Sequence, residues 1–174
     1  MTDDAGALSS VKSELVALIP RLRRFGYALT GAMDTADDLA QLTLERALMN
    51  LHRWTPGTRL DSWLFRIAQN AWIDEMRSRK RRGPTLDVDE ALHLAGEDGR
   101  SVTEARLDLA RVRDIIADLP DAQREVLALV AIEGLSYQEA ATTLDIPIGT
   151  VMSRLSRARK AVADRMNTRT TSHD

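Results

Sequence analysis

The chain has 174 residues, a length that suits one ordinary domain or two small ones. Of these residues 44% are hydrophobic and only 4% are aromatic. The absence of cysteine excludes a disulfide scaffold, a thiol nucleophile and a zinc–thiolate site, and the three histidines are too scattered to suggest a metal site. The net charge of −2 excludes a uniformly basic, nucleic-acid-coating protein, although charge is unevenly distributed along the chain.

The first half of the sequence has the period of α-helices. Apolar residues recur at spacings of three and four from Leu8 to Phe25, and Pro20 predicts either a kink or the start of a fresh helix there. Two longer helices are predicted at 35–51 and 59–80, separated by a turn at 53–57. Patterns resembling capping boxes begin at the following residues: Asp34, Thr58, Ser101 and Ser136.

Residues 83–99 (GPTLDVDEALHLAGEDG) interrupt this helical pattern. They contain five acidic residues, glycines at both ends and no clear period, as is typical of a linker. Helical period then resumes, and no alternating strand pattern occurs anywhere. We therefore predict an all-α protein of two small helical modules, at 8–82 and 105–168, joined by a flexible acidic linker at 83–104.

The second module carries a helix-turn-helix pattern. A short helix from Tyr137 to Leu144 is followed by the turn Asp145-Ile146-Pro147 and by a second helix that begins near Gly149. Residues 148–169 hold six positive charges and one negative charge. The side of the second helix opposite its apolar stripe suits a DNA major groove, and it offers Thr150, Ser153, Arg157 and Lys160, with Arg154 flanking them. A solvated basic face is the alternative reading of the helix alone.

Two surfaces of the first module also suggest binding. Helix 35–51 should bury a core face that includes Leu39, Leu44 and Leu48, while Leu42 and Met49 lie among acidic and polar residues on its other side. That arrangement favours a protein-docking surface, although single exposed apolar residues are ordinary. Helix 59–80 places a basic stripe beside tryptophans and ends in RSRKRR (77–82), a combination that suits single-stranded nucleic acid. Plain core packing is the alternative for the tryptophans.

Together these segments resemble the extracytoplasmic-function (ECF) sigma factors of bacterial RNA polymerase, over about residues 12–165. The resemblance rests on DTADDLAQLTLERAL (34–48) and TRLDSWLFRIAQNAWIDEMRSRKRR (58–82), which look like the family's region two. It also rests on LPDAQREVLALVAIEGLSYQEAATTLDIPIGTVMSRLSRARKAV (119–162), which looks like region four. The opening segment LVALIPRLRRFGYALTG (15–31) is similar to the subgroup that runs the general stress response.

The resemblance implies a sigma factor that binds core RNA polymerase and directs promoter recognition, melting and transcription initiation, without enzymatic activity or a cofactor. It implies polymerase docking through Asp38, Leu39, Gln41, Leu42 and Glu45, although the family usually has an acidic residue where Leu42 stands. It implies contacts with the melted minus-ten element from Arg53, Trp54, Arg66, Asn70, Arg77, Arg79 and Lys80. It implies readout of the duplex minus-thirty-five element by the five polar residues of the second helix-turn-helix helix.

The implied partners are core polymerase, promoter DNA and an anti-sigma protein. The chain shows no signal peptide and no 18-residue apolar run, so we expect a cytoplasmic protein without a membrane span. An autonomous, dimeric helix-turn-helix regulator is the main alternative, but it leaves the basic stripe and the tryptophans unexplained. A metal-dependent phosphohydrolase is a further alternative. It is disfavoured because acids such as Asp34, Asp37 and Asp74 would have to bind the metal without a histidine.

Overall fold

A computed structural model describes residues 3–82 and 104–168, and all their regular secondary structure is helical. The first module contains α1 (Asp3–Thr30), α2 (Met33–Met49), a 3₁₀ turn (Leu51–Arg53) and α3 (Leu60–Arg82). The second contains α4 (Glu104–Ala117), α5 (Asp121–Leu127), a π-helical turn (Ala128–Ile132), α6 (Tyr137–Leu144) and α7 (Ile148–Asn167). This confirms the predicted all-α fold. Apart from its last residue, the predicted linker lies outside the described residues.

The first module is a three-helix unit in which α2 packs against both α1 and α3. Phe25 of α1 and Phe65 of α3 are fully buried at its centre, with ring centroids 5.1 Å apart. α1 continues through Pro20 as one helix, so of the two alternatives predicted at that residue, the start of a fresh helix was wrong. The close packing of α1 and α2 favours glycine at position 26, since a Cβ there would lie 3.1 Å from the carbonyl oxygen of Ala36.

Three local predictions for the first module were wrong. Leu48 was expected in the core, but 52% of its surface is exposed because it lies at the edge of the α1–α2 contact. Thr58 does not form a capping box, since its hydroxyl donates to the carbonyl of Thr55 and the Asp61 carboxylate is engaged by arginines. Nor does Asp34 cap α2, whose N-cap residue is Ala32.

The helix-turn-helix of the second module forms as its sequence predicts. Ser136 and Glu139 form a reciprocal capping box at the start of α6, with the Ser136 amide donating to the Glu139 carboxylate over 2.7 Å. Asp145 adopts the left-handed conformation that ends α6. Val151, Leu155 and Ala158 then anchor α7 in the core, so its opposite side faces outward.

The two modules pack against each other and share one hydrophobic core cluster. α1 contacts α4, α5 and the π-helical turn, while α3 contacts α6. None of the helices in the described ranges has the length and hydropathy of a membrane-spanning segment.

Candidate nucleic-acid and polymerase interfaces

The outward face of α7 carries the residues that the sequence assigns to duplex DNA. Arg157 and Lys160 are exposed, while Thr150, Ser153 and Arg154 are partly exposed. The Ser153 hydroxyl donates to the Thr150 carbonyl over 3.1 Å. Four of these residues thus lie on the outward side of α7, with Arg154 at its flank, and α7 packs against α5 and α6.

A second polar stripe runs along α3. Arg66, Asn70 and Arg77 are exposed at helical spacing, and Arg79 and Lys80 extend the basic surface towards the end of the helix. Arg79 pairs with Glu75 over 3.0 Å within the same helix. The stripe can therefore follow a phosphate backbone, although one of its guanidinium groups already has a carboxylate neighbour.

The tryptophans of the first module are not equally available to stack on bases. Trp72 is buried in the core, and Trp63 is partly buried against it. Trp54, on the loop before α3, is also partly buried, and its indole nitrogen is buried without a hydrogen-bond partner among the described residues. The prediction of plain core packing is thus correct for Trp72. Arg53, which precedes Trp54 on the loop, is exposed.

The candidate docking face of α2 combines acidic, polar and apolar side chains. Asp38, Gln41 and Glu45 are exposed, and the Gln41 amide donates to Glu45 over 3.1 Å. Leu42 is also exposed, whereas Leu39 is buried and can only support this face from beneath. Met49 and Leu48 extend the exposed apolar surface towards the end of the helix.

Arginines of the first module meet carboxylates of the second. The Glu133 side chain is fully buried and accepts hydrogen bonds from Arg21 over 3.0 Å and from Arg24 over 2.8 and 3.0 Å. Arg21 also pairs with Asp61 over 2.8 Å, and its guanidinium lies 5.3 Å from the Phe65 ring centroid. Glu133 directly follows the π-helical turn, and its amide closes that turn onto the Ala128 carbonyl over 2.9 Å.

Two further contacts extend this junction along α3. Arg59 pairs with Glu139, the same residue that completes the capping box of α6. Arg66 donates to the backbone carbonyl of Thr142 on α6. A residue to which the family resemblance gives a role at the minus-ten element therefore contacts the other module in this arrangement.

Burial and hydrogen bonding shift the pKa values of two carboxyl groups at this junction in opposite directions. Burial alone would raise the pKa of Asp61, but hydrogen bonds from Arg59, Arg21 and the Ser62 amide outweigh it and lower the pKa to about 2. Burial raises the pKa of Glu125, as does the nearby Asp121 charge, while Arg154 and Gln69 oppose the increase.

Comparisons with known proteins place the two modules in one family. Residues 15–69 match the model described as the sigma2 domain of PhyR, and residues 109–162 match the model for sigma-70 region 4. The chain is 38% identical over 154 residues to the ECF RNA polymerase sigma factor EcfG of Rhodopseudomonas palustris, covering 88% of this chain and 83% of that one. The chain belongs to the ECF sigma factors. This family membership favours a sigma factor over the autonomous helix-turn-helix regulator.

Two further relatives agree with this assignment. The ECF sigma factor SigE of Mycolicibacterium smegmatis is 32% identical over 166 residues, covering 94% of this chain and 64% of that protein. The sigma factor RpoE of Bartonella quintana, solved in complex with the anti-sigma factor NepR, is 33% identical with a TM-score of 0.74. Its match covers 90% of this chain and 96% of that chain.

Sequence reasoning on this ECF sigma factor missed the junction between its modules. Arg21 and Glu133 are 112 positions apart, and no local pattern links an arginine on one helix to a carboxylate that follows a distant one. The local sequence at Glu133-Gly134, which follows an apolar run, is typical of a helix end and does not indicate a partner. The acids proposed for a metal site do not cluster: no group of three potential ligands exists within the described ranges.

Proposed function

We propose that this ECF sigma factor binds core RNA polymerase and directs promoter recognition, melting and transcription initiation for a stress regulon. The observation that carries the proposal is that one chain presents two separate basic faces, on α3 and on α7, mounted on the two modules of the family. A single duplex-binding domain needs only the second of these faces. The region-two module would span 8–82 and the region-four module 105–168.

The α7 face is suited to the duplex minus-thirty-five element. Arginine can donate two hydrogen bonds to a guanine edge, and hydroxyl groups can contact bases or phosphates. Arg157 lies near the centre of the face, so we assign it a base or phosphate contact there. Thr150, Ser153, Arg154 and Lys160 surround it on the outward side of α7.

The α3 stripe is suited to the melted minus-ten element. Single-stranded DNA exposes its phosphates and bases together, and a row of cations at helical spacing can follow that backbone. Arg66, Asn70 and Arg77 form the row, and Arg79 and Lys80 continue it. Arg53 and Trp54 lie on the loop that leads into α3, where they would meet the start of the opened strand.

The exposed face of α2 is our proposed polymerase-binding surface. Asp38, Gln41, Leu42 and Glu45 would contact the enzyme, and Leu39 would hold the helix in place from the core side. The protein itself changes no covalent bond and acts with polymerase in the cytoplasm. Because the Bartonella relative is solved with an anti-sigma factor, we also propose that such a protein regulates this one.

Run-off transcription with purified bacterial core polymerase on a promoter library tests the proposal. Defined transcripts should appear only when the protein is added. Arg157→Ala should reduce them about 5- to 150-fold, as expected for the loss of one base contact of about 1–3 kcal/mol. Arg159→Ala is the matched control, because Arg159 is also exposed on α7 but lies about 160° around the helix from Arg157.

A parallel pull-down with core polymerase tests the docking face. Asp38→Ala should weaken the complex, whereas Asp34→Ala on the same helix should leave it unchanged. Absence of any specific transcript, together with duplex binding by the protein alone, would replace the sigma factor with an autonomous regulator. Equal effects of the two α7 substitutions would refute the assignment of the recognition face.

A further inference from the structure

The junction between the modules contains a buried charge that only the packed arrangement satisfies. Glu133 belongs to the second module, its side chain is fully buried, and its carboxylate is bonded by Arg21 and Arg24 of the first. The Glu133 backbone carbonyl accepts a further bond from Arg21 over 3.0 Å. Separating the modules would remove all of these contacts at once, so the Glu133 carboxylate has its arginine partners only while the modules are packed together.

The contacts around this cluster involve surfaces that DNA would need. Arg66 donates to the Thr142 carbonyl, and Arg59 pairs with Glu139. Both interactions hold α3 against α6. In the packed arrangement the guanidinium group of Arg66 is therefore directed to a protein carbonyl instead of a phosphate.

Polar groups also bridge the modules beyond this cluster. Arg124 of α5 donates to the Leu29 carbonyl at the end of α1 over 2.5 Å. On the other side of the junction, buried Glu125 lies beside Gln69 of α3. Polar contacts thus flank the shared core on several sides, which fixes one relative orientation of the modules.

We propose that the cluster of Glu133 with Arg21 and Arg24, here called the latch, is an autoinhibitory contact that holds the free protein closed. In the closed form α3 faces α6, and Arg66 is withheld from the minus-ten strand. Binding to polymerase separates the modules and releases α3. The closure follows from the geometry alone, whereas its inhibitory effect rests on the function proposed above.

Charge reversal of the latch tests the closure in the full chain. Because the chain has no cysteine, Ser10→Cys on α1 and Ala163→Cys on α7 provide two exposed labelling positions, one on each module. The distance between labels, measured by single-molecule energy transfer, should be narrowly distributed around one value in the otherwise unaltered protein. Glu133→Lys should increase the ratio of open to closed molecules at least about tenfold, since it places like charges in a buried site.

Two more variants separate opening from unfolding. Arg24→Glu alters a half-exposed surface residue of α1 and should also open the protein. Combining it with Glu133→Lys restores opposite charges and should close the protein again, which an unfolded second module could not do. Arg23→Glu is the matched control, since it makes the same change at the adjacent residue, whose partner Asp37 lies within the first module.

The consequence for function is measured by the rate of association with core polymerase and by transcription at limiting protein. The latch variants should raise both, whereas Arg23→Glu should not. Distance distributions that are identical in all variants would overturn the latch. Opening without faster association would overturn its inhibitory role. If no variant supports transcription, the proposed function fails, while the distance measurement still decides whether the latch exists.

Discussion

Asp61 should stabilise the first module in a way that depends on pH. Its side chain is 10% exposed and is bonded by Arg59 over 2.7 Å and by Arg21 over 2.8 Å. A pKa lowered from 3.8 to about 2 corresponds to about 2.4 kcal/mol of folding free energy at neutral pH. Since Arg59 is half exposed and solvent screens its charge, we expect Asp61→Asn to cost about 2 kcal/mol.

The sign of the pH dependence follows from the lowered pKa. The stabilisation is complete above the unfolded pKa of 3.8, falls to about half by pH 3 and is lost as the pH drops through the folded value of about 2. The stabilities of Asp61→Asn and the unaltered protein should therefore converge on acidification.

Urea unfolding followed by tryptophan fluorescence measures the free energy of unfolding of the first module. All three tryptophans lie between residues 54 and 72, so the signal reports the first module. Asp74→Asn is the matched control, since Asp74 lies on the same helix but pairs with Arg46 at an exposed site, and its loss should cost less than about 1 kcal/mol. Equal costs for the two variants, or a cost for Asp61→Asn that persists unchanged at pH 3, would refute the reasoning.

Further substitutions test other parts of the fold by thermal unfolding. Ser136→Ala removes one half of the α6 capping box and should cost about 1 kcal/mol. Leu155→Ala leaves a cavity under α7 and should cost about 2–5 kcal/mol, with loss of duplex binding. Gly26→Ala forces a methyl group against the Ala36 backbone and should cost about 1–3 kcal/mol. Because burial raises the pKa of Glu125, stability should rise as the pH falls through that value, and Glu125→Gln should remove this dependence.

The sequence predicts the helix-turn-helix well because its determinants are local. The Ser136 cap, the stop at Asp145 and the apolar spacing of α7 all act within a few residues of one another. Leu48 was assigned wrongly because periodicity shows which side of a helix is apolar but not how closely the neighbouring helix covers each position on that side. The roles assigned to individual DNA-contacting and polymerase-contacting residues stay predictions, since they depend on partners and not on the fold.

The contacts between modules depend on tertiary structure that no local pattern contains. Glu133 is buried because the π-helical turn directs it towards α1, and Arg21 and Arg24 meet it because they lie on one side of that helix, three positions apart. Neither arginine differs in sequence terms from exposed Arg23 between them. Only the packed arrangement distinguishes an arginine that joins the modules from one that pairs within its own.

A latch that polymerase can open must hold one arrangement of the modules and must contribute only a small free energy to closure. The residues of this latch meet both conditions. Burying a carboxylate costs hydration that its partners largely restore, so the net gain from a buried ion pair is small even when its rupture is costly. Arg24 is about half exposed, so solvent screens its attraction to Glu133 and limits it further. A large interface with polymerase can therefore exceed the free energy of closure, whereas an isolated stretch of DNA, offering mainly phosphates to the exposed stripes, has less with which to oppose it.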